Sequence, residues 1–272
     1  MSVETPRQPL IKQGWLRAII LLVVYLSASI GAGFFVSTNE AWFAASFVIA
    51  LLIVFFFRTV IDRKSFTSIG FEGDDFFKNA LMGLCLGTFL VCTGTLLMYF
   101  MGVVEWIDIT AGTSPLILSA GSLMMVAVGE ELVFRGYILR NLMKSFNRWI
   151  ALIVSAALFT IVHASNPDVE WVALINTFLG GLLTGITFMY TRSLWLPVFF
   201  HFSWNYIQGP VLGFDVSGIG FRTLLVLETN GNELMNGGNY GFEGSVICSA
   251  LLALAIGTWT WKYYKSPTST AT

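Results

Sequence analysis

The chain alternates long apolar runs with short polar breaks. Apolar stretches near the ~20 residues needed to cross a bilayer as a helix occur at 15–36, 41–61, 77–104, 115–143, 149–165, 169–190, 193–209 and 244–264. They predict an all-α, polytopic membrane protein of about eight transmembrane helices. The fifth and seventh runs are short, and each carries a histidine. No repeat, low-complexity tract or soluble domain interrupts the pattern, so residues 1–272 are expected to form a single transmembrane domain.

The polar breaks sort by sign. Arg7 and Lys12 precede the first run, Arg58, Arg63 and Lys64 follow the second, and Arg140, Lys144 and Arg148 follow the fourth. Arg192 ends the sixth run, and Lys262 and Lys265 close the eighth. Between them lie Glu40, then Glu105 and Asp108, then Asp168 and Glu170. Lys and Arg concentrate in cytoplasmic loops, so both termini are expected in the cytoplasm, with a prokaryotic cell membrane as the location. Arg7, Lys12 and Arg17 ahead of an apolar stretch through Ser27-Ala28-Ser29 loosely imitate a cleavable signal. The run continues to Val36 and further runs follow, which favours a retained signal-anchor helix. Trp15, Trp42, Trp106, Trp149, Trp171 and Trp195 sit at run ends, as an interfacial belt would, whereas Trp204 falls inside the seventh run. Residues 62–75 mix both charge signs with Phe66, Ile69 and Phe71 and are expected at the cytoplasmic interface. The glycine-rich stretch 210–244 is long enough to imply a function or disorder.

Composition narrows the classes. The chain is 56% hydrophobic and 11% charged, against about 25% charged in an ordinary soluble domain. Mean hydropathy is +0.74. A net charge of -1 excludes a nucleic-acid partner, because no basic patch exists to neutralise phosphates. Cys85, Cys92 and Cys248 all fall in apolar runs and are read as small buried hydrophobes, not as disulfides or a metal cluster. The expected partners are the lipid bilayer and a peptide or lipidated protein substrate.

The fourth run contains Gly129-Glu130-Glu131-Leu132-Val133-Phe134-Arg135-Gly136. Ionisable groups at membrane depth are costly and mark function by default. Glu131 and Arg135, four apart, share a helical face and can pair. Glu130 points about a quarter turn away and lacks that partner. His163 and His201 are the chain's two histidines, and both lie in expected spans. Phe159 sits one turn before His163 on the same face, and Asn205 one turn after His201. Each histidine alone could be a hydrogen-bonded core residue. Together with two carboxylates, an arginine and an amide at comparable depth, they point to one shared polar site. A carboxylate with a histidine can take a proton from water, and a histidine with an amide can donate to an oxyanion. One Glu and two His are also ligand types of catalytic zinc, so Glu130, His163 and His201 could form a metal set, although His-Glu-x-x-His is absent.

The Glu-Glu-x-x-x-Arg of Glu130, Glu131 and Arg135, the Phe-x-x-x-His ending at His163 and the His-x-x-x-Asn of His201 and Asn205 resemble, in order and separation, three signature motifs of the CPBP (CAAX protease and bacteriocin-processing, or Abi) intramembrane proteases. The glycine-rich 236–244 resembles that family's late segment, and the likeness covers about 62–244. The resemblance implies a conical polar cavity between the fourth, fifth and seventh helices. It implies that Glu130 with His163 activates water while His201 and Asn205 stabilise the oxyanion, with Glu131, Arg135 and Phe159 supporting. It implies no cofactor on the glutamic-protease description and zinc on a competing one. In eukaryotic members the substrate is a prenylated C-terminal CaaX tail.

Other classes have a weaker basis. A serine protease would draw on Ser122 or Ser203, neither in a Gly-x-Ser-Gly context, and no Asp lies inside a run. A proton-coupled transporter would use the same buried Glu, His and Arg, but no inverted repeat is visible. A non-proteolytic partner or bacteriocin-immunity protein would keep the site without turnover.

Overall fold

The structure, a computed structural model, describes residues 8–72, 75–110 and 112–266. Arg7 and Asp74 lie outside the described residues. The apolar runs become helices almost where the pattern puts them. They are α1 (Gly14–Gly33), α2 (Asn39–Phe56), α3 (Phe76–Phe100), α4 (Thr113–Glu131), α5 (Arg148–His163), α6 (Trp171–Thr191), α7 (Trp195–Tyr206) and α8 (Val246–Lys265). Three of them run on past their α-helical part. α2 ends in a π turn over Phe57–Ile61, α4 runs on through a π segment, Leu132–Leu139, to Leu142, and α7 continues as a π turn, Ile207–Val211. Among the described residues, six helices are long and apolar enough to cross a membrane. α5 and α7 are the short ones, as expected, so the count of eight spans is approximate. The protein is an all-α integral membrane protein.

Burial follows from this setting. Phe77, Phe89 and Phe100 are exposed on the outer face of α3, and Phe34 and Phe35 in the turn after α1, where lipid replaces water as the solvent for apolar side chains. Cys248 is buried, but Cys85 and Cys92 are exposed on α3, correcting the expectation of buried positions. Both point off the face that α3 turns to α7.

That contact depends on two glycines one turn apart. A Cβ at Gly83 would strike the Leu196 carbonyl, and one at Gly87 the carbonyl of Phe200 and the hydroxyl of Ser203. Small residues four apart let membrane helices approach closely. Here they seat α7, the helix bearing His201 and Asn205.

Contacts sort the helix ends into two faces. At one, Trp15 N–H donates to Ser145 Oγ (3.0 Å), Leu194 N–H to the Gly70 carbonyl (2.9 Å) and Arg148 to the Tyr263 hydroxyl (2.6 Å). Phe71 packs on Trp195 with centroids 4.9 Å apart. Asp62 is buried here between Arg17 and Arg58, so the start of 62–75 is anchored inside the protein and not merely at an interface. At the other face a two-stranded antiparallel ribbon joins β1 (Val104–Ile109) to β2 (Leu225–Thr229), with a bulge between Trp106 and Asp108. The 210–244 stretch is ordered over this face. Trp106 Nε1–H donates to the Leu212 carbonyl (3.0 Å), Asn166 to the Ser217 carbonyl (3.2 Å) and Asn176 to the Glu243 carbonyl (2.7 Å).

Candidate active site

Glu130 and Glu131 stand at the end of the α-helical part of α4, just before the backbone relaxes into the π segment. Such π bulges recur at functional sites because they re-aim side chains within a helix. Arg135, on the π segment, reaches back to Glu131 with Nη1 3.1 Å from Oε1, the pairing the spacing predicts. Both are fully buried. Arg135 also donates to the Gly181 carbonyl (3.4 Å), and its guanidinium lies 4.4 Å over the Phe159 ring. Phe159 meets His163, as residues four apart on a helix do, with its centroid 4.3 Å from that ring, and it also lies 6.4 Å from the ring of His201.

The two histidines are held alike. His163 Nδ1 is 2.8 Å from the Phe159 carbonyl, and His201 Nδ1 is 3.0 Å from Glu131 Oε1. The Phe159 carbonyl and the Glu131 carboxylate oxygen act as acceptors, so each Nδ1 carries a proton. Each Nε2 is then turned toward Glu130, at 3.8 Å (His163) and 3.9 Å (His201) from the same oxygen, Oε2. That oxygen is buried and has no hydrogen-bond partner among the described residues. Glu131 thus does more than neutralise Arg135: it also orients an imidazole from another helix. The second role was not readable locally, because the partners are seventy positions apart.

Asn205 is buried and lines, with His163, His201 and Ser217, the wall shared by two adjoining cavities. The larger, about 470 Å³, is bounded by Glu130 and by apolar side chains of α1, α2 and α4, among them Tyr25, Phe43 and Phe134. The smaller, about 70 Å³, is bounded by Glu131, Arg135, Trp204 and Glu243. All four expected catalytic side chains, Glu130, His163, His201 and Asn205, therefore line the larger cavity. Ser122 and Ser203 line neither cavity, and the Ser203 hydroxyl donates to the Phe200 carbonyl (3.1 Å).

Glu243 was not anticipated. Its Oε1 accepts from Trp204 Nε1–H (2.9 Å), and its Oε2 accepts from the backbone N–H (3.1 Å) and hydroxyl (2.7 Å) of Ser217. It ties the covering loop to the residue beside Asn205. The turn that aims it needs glycine at Gly241, whose φ is +93° and where a Cβ would strike the Asp215 carbonyl. The only hint in the sequence was Trp204 itself, an indole inside an apolar run that requires an acceptor. On the same loop, burial and the neighbouring charge of Asp168 push the Asp215 carboxyl above its ordinary range.

A zinc ion bound at about 2.0–2.2 Å in tetrahedral geometry draws its ligand atoms to about 3.3–3.5 Å of one another. The Glu130–histidine separations exceed that, and no three His, Cys, Asp or Glu among the described residues group closely enough to hold a metal. As arranged, these residues do not fit zinc.

An all-α membrane protein with a carboxylate, two oriented imidazoles and an amide around one cavity has the parts of an intramembrane hydrolase. Residues 112–207, the segment holding Glu130, Glu131, Arg135, His163, His201 and Asn205, match the family described as type II CAAX prenyl endopeptidase Rce1-like. At family level the match supports a CAAX-type intramembrane endopeptidase, a membrane-embedded hydrolase acting on a protein substrate. No curated protein and no solved structure shows a significant match.

Proposed function

We propose that the protein hydrolyses a peptide bond of a membrane-associated polypeptide, using water activated by Glu130 and His163 without a metal. The observation that supports this best is the Glu130 Oε2 atom, buried, without a hydrogen-bond partner, and faced by two imidazole nitrogens. A carboxylate so placed can take a proton from water as the water oxygen attacks the carbonyl carbon. His163 holds the water and shares that proton. Asn205 donates to the developing oxyanion, and His201, protonated on both nitrogens, donates from Nε2 while its Nδ1–H stays on Glu131. Such donors are each worth about 2.7–4 kcal/mol in comparable acyl transfers. Collapse of the tetrahedral intermediate breaks the C–N bond, and the proton returns from Glu130 to the leaving amine. Glu131 keeps His201 oriented, and Arg135 and Phe159 keep Glu131 and His163 in place.

The test is Glu130→Gln, which keeps the shape and removes the base. Cleavage should fall by at least about 10²-fold, the low end for a general base, while yield and thermal midpoint in detergent stay at wild-type values. An active Glu130→Gln protein would refute the assignment. Metal analysis of the purified protein addresses the other half. Stoichiometric zinc that is lost in His163→Ala would replace this mechanism with a metal-dependent one.

A further inference from the structure

The site lies nearer one face of the protein than the other, and the two faces differ in charge. Every lysine and arginine among the described residues belongs to the face that gathers the start of α1, the α2–α3 connection, the α4–α5 turn, Arg192 and the end of α8, except Arg135 inside the site and Arg222. The opposite face carries Glu40, Glu105, Asp108, Asp168, Glu170 and Glu233. Lys and Arg in short loops set membrane orientation, so the cationic face is cytoplasmic. The larger cavity is lined by Ser29 and Ile30 near the end of α1, Trp42 at the start of α2, and Ser165 and Asn166 after α5. Val216, Ile219 and Phe221 of the covering loop complete it. All of these belong to the acidic face. Toward the cytoplasm the site is closed by the fully buried Leu132, Val133, Leu139 and Leu194, and beyond them by the ion pairs of Asp62.

We infer that the site is reached from the extracytoplasmic face, under the 210–244 loop. Its substrate is then a peptide bond on that side of the membrane, in an exported or membrane-anchored polypeptide, and not a cytoplasmic prenylated tail. The substrate part rests on the hydrolytic reading above; the access part does not. A cytoplasmic C-terminal tail would have to pass the plug formed by the π segment of α4 and the Asp62 ion pairs to bring its scissile bond to Glu130.

Access is tested by single cysteines in a protein whose Cys85, Cys92 and Cys248 are replaced by Ala. Glu170→Cys and Ile219→Cys should react with a membrane-impermeant maleimide in intact spheroplasts, and Lys64→Cys only after lysis. Ser165→Cys, on the same cavity wall, replaces Ile219→Cys if the latter lowers yield. Labelling of Lys64→Cys before lysis, with the cavity cysteines protected, would overturn the inference whatever the activity. The substrate part is tested by comparing new polypeptide N-termini in cells carrying wild type and Glu130→Gln. Termini lost in the variant should map to extracytoplasmic segments, and cytoplasmic ones would refute the inference. No difference between the strains, with outward labelling intact, would count against hydrolysis and leave the access route standing.

Discussion

Two carboxylates, Asp62 and Glu130, sit in the same protein and are treated in opposite ways: the first is fully buried, the second partly open to the cavity it borders. Asp62 has both oxygens occupied. Arg17 and the Tyr137 hydroxyl (3.3 Å) meet Oδ1, while Arg58 (3.0 Å) and Lys144 (3.9 Å) meet Oδ2. These partners come from α1, the end of α2, the π segment of α4 and the turn after it, so one side chain fastens four segments. Glu130 has an oxygen with no donor at all, faced by imidazoles too far away for a direct hydrogen bond. A carboxylate saturated by fixed cations has nothing left to offer a substrate. One that borders a cavity with an oxygen free of protein donors keeps its lone pairs for a reacting molecule. The two differ in exposure and, more tellingly for chemistry, in the state of their hydrogen bonding.

The comparison is most directly broken by matched isosteres. Asp62→Asn should leave Arg17 and Arg58 buried without their counter-charge, a loss of about 3–5 kcal/mol, seen as reduced folded yield and a lower thermal midpoint. Glu130→Gln should show neither change while losing activity. If both variants melt alike, the distinction drawn here is wrong. Arg135→Ala belongs with Asp62→Asn. It removes the buried partner of Glu131 and should lose a comparable about 3–5 kcal/mol, together with activity, because Glu131 also holds His201. A well-folded Arg135→Ala protein at normal abundance would show that His201 suffices to stabilise Glu131.

A smaller and purely kinetic effect is expected at Asn205. Its replacement by Ala should slow cleavage by about 10²–10³-fold with the thermal midpoint nearly unchanged. Unaltered kinetics in Asn205→Ala would remove the oxyanion role and leave His201 as the sole side-chain donor.

How much of this the sequence carried depends on range. The fourth run was read as 115–143, and the helix with its π extension occupies 113–142, because an apolar run in lipid must satisfy its backbone internally. The Glu131–Arg135 pair and the Phe159–His163 stack were legible because residues four apart meet on a helix. The Glu131–His201 bond, the Glu243 clasp and the burial of Asp62 were not. Each joins positions far apart in the chain, and nothing local marks Asp62 or Glu243 among the other loop acids. The ribbon left a faint signal, alternation in Val104-Glu105-Trp106-Ile107-Asp108-Ile109, too short to stand against the helical pattern around it.

The smallest expected effect sharpens the Asp62 side of the comparison. Lys144 lies at the rim of that cluster, with about a third of its side chain exposed. Its burial pushes the ammonium down to about 8, and nearby Arg17 and Arg58 push the same way, against the attraction of Asp62. An ordinary lysine titrates near about 10.4, so between these two values the unfolded chain holds more of the proton than the folded one. Stability therefore rises with pH across that window, since the slope follows the excess of protons bound in the unfolded state. Below about 8 both states are charged and the destabilising contribution is fully present. Because water screens a group this exposed, the gain is small. The thermal midpoint of the wild-type protein in detergent should rise slightly between pH 7.5 and 9.5, and Lys144→Met should flatten that rise while raising the midpoint at pH 7.5. If Lys144→Met instead lowers the midpoint at pH 7.5, Lys144 is a needed counter-charge to Asp62, and the carboxylate is less fully satisfied by Arg17 and Arg58 than its geometry implies.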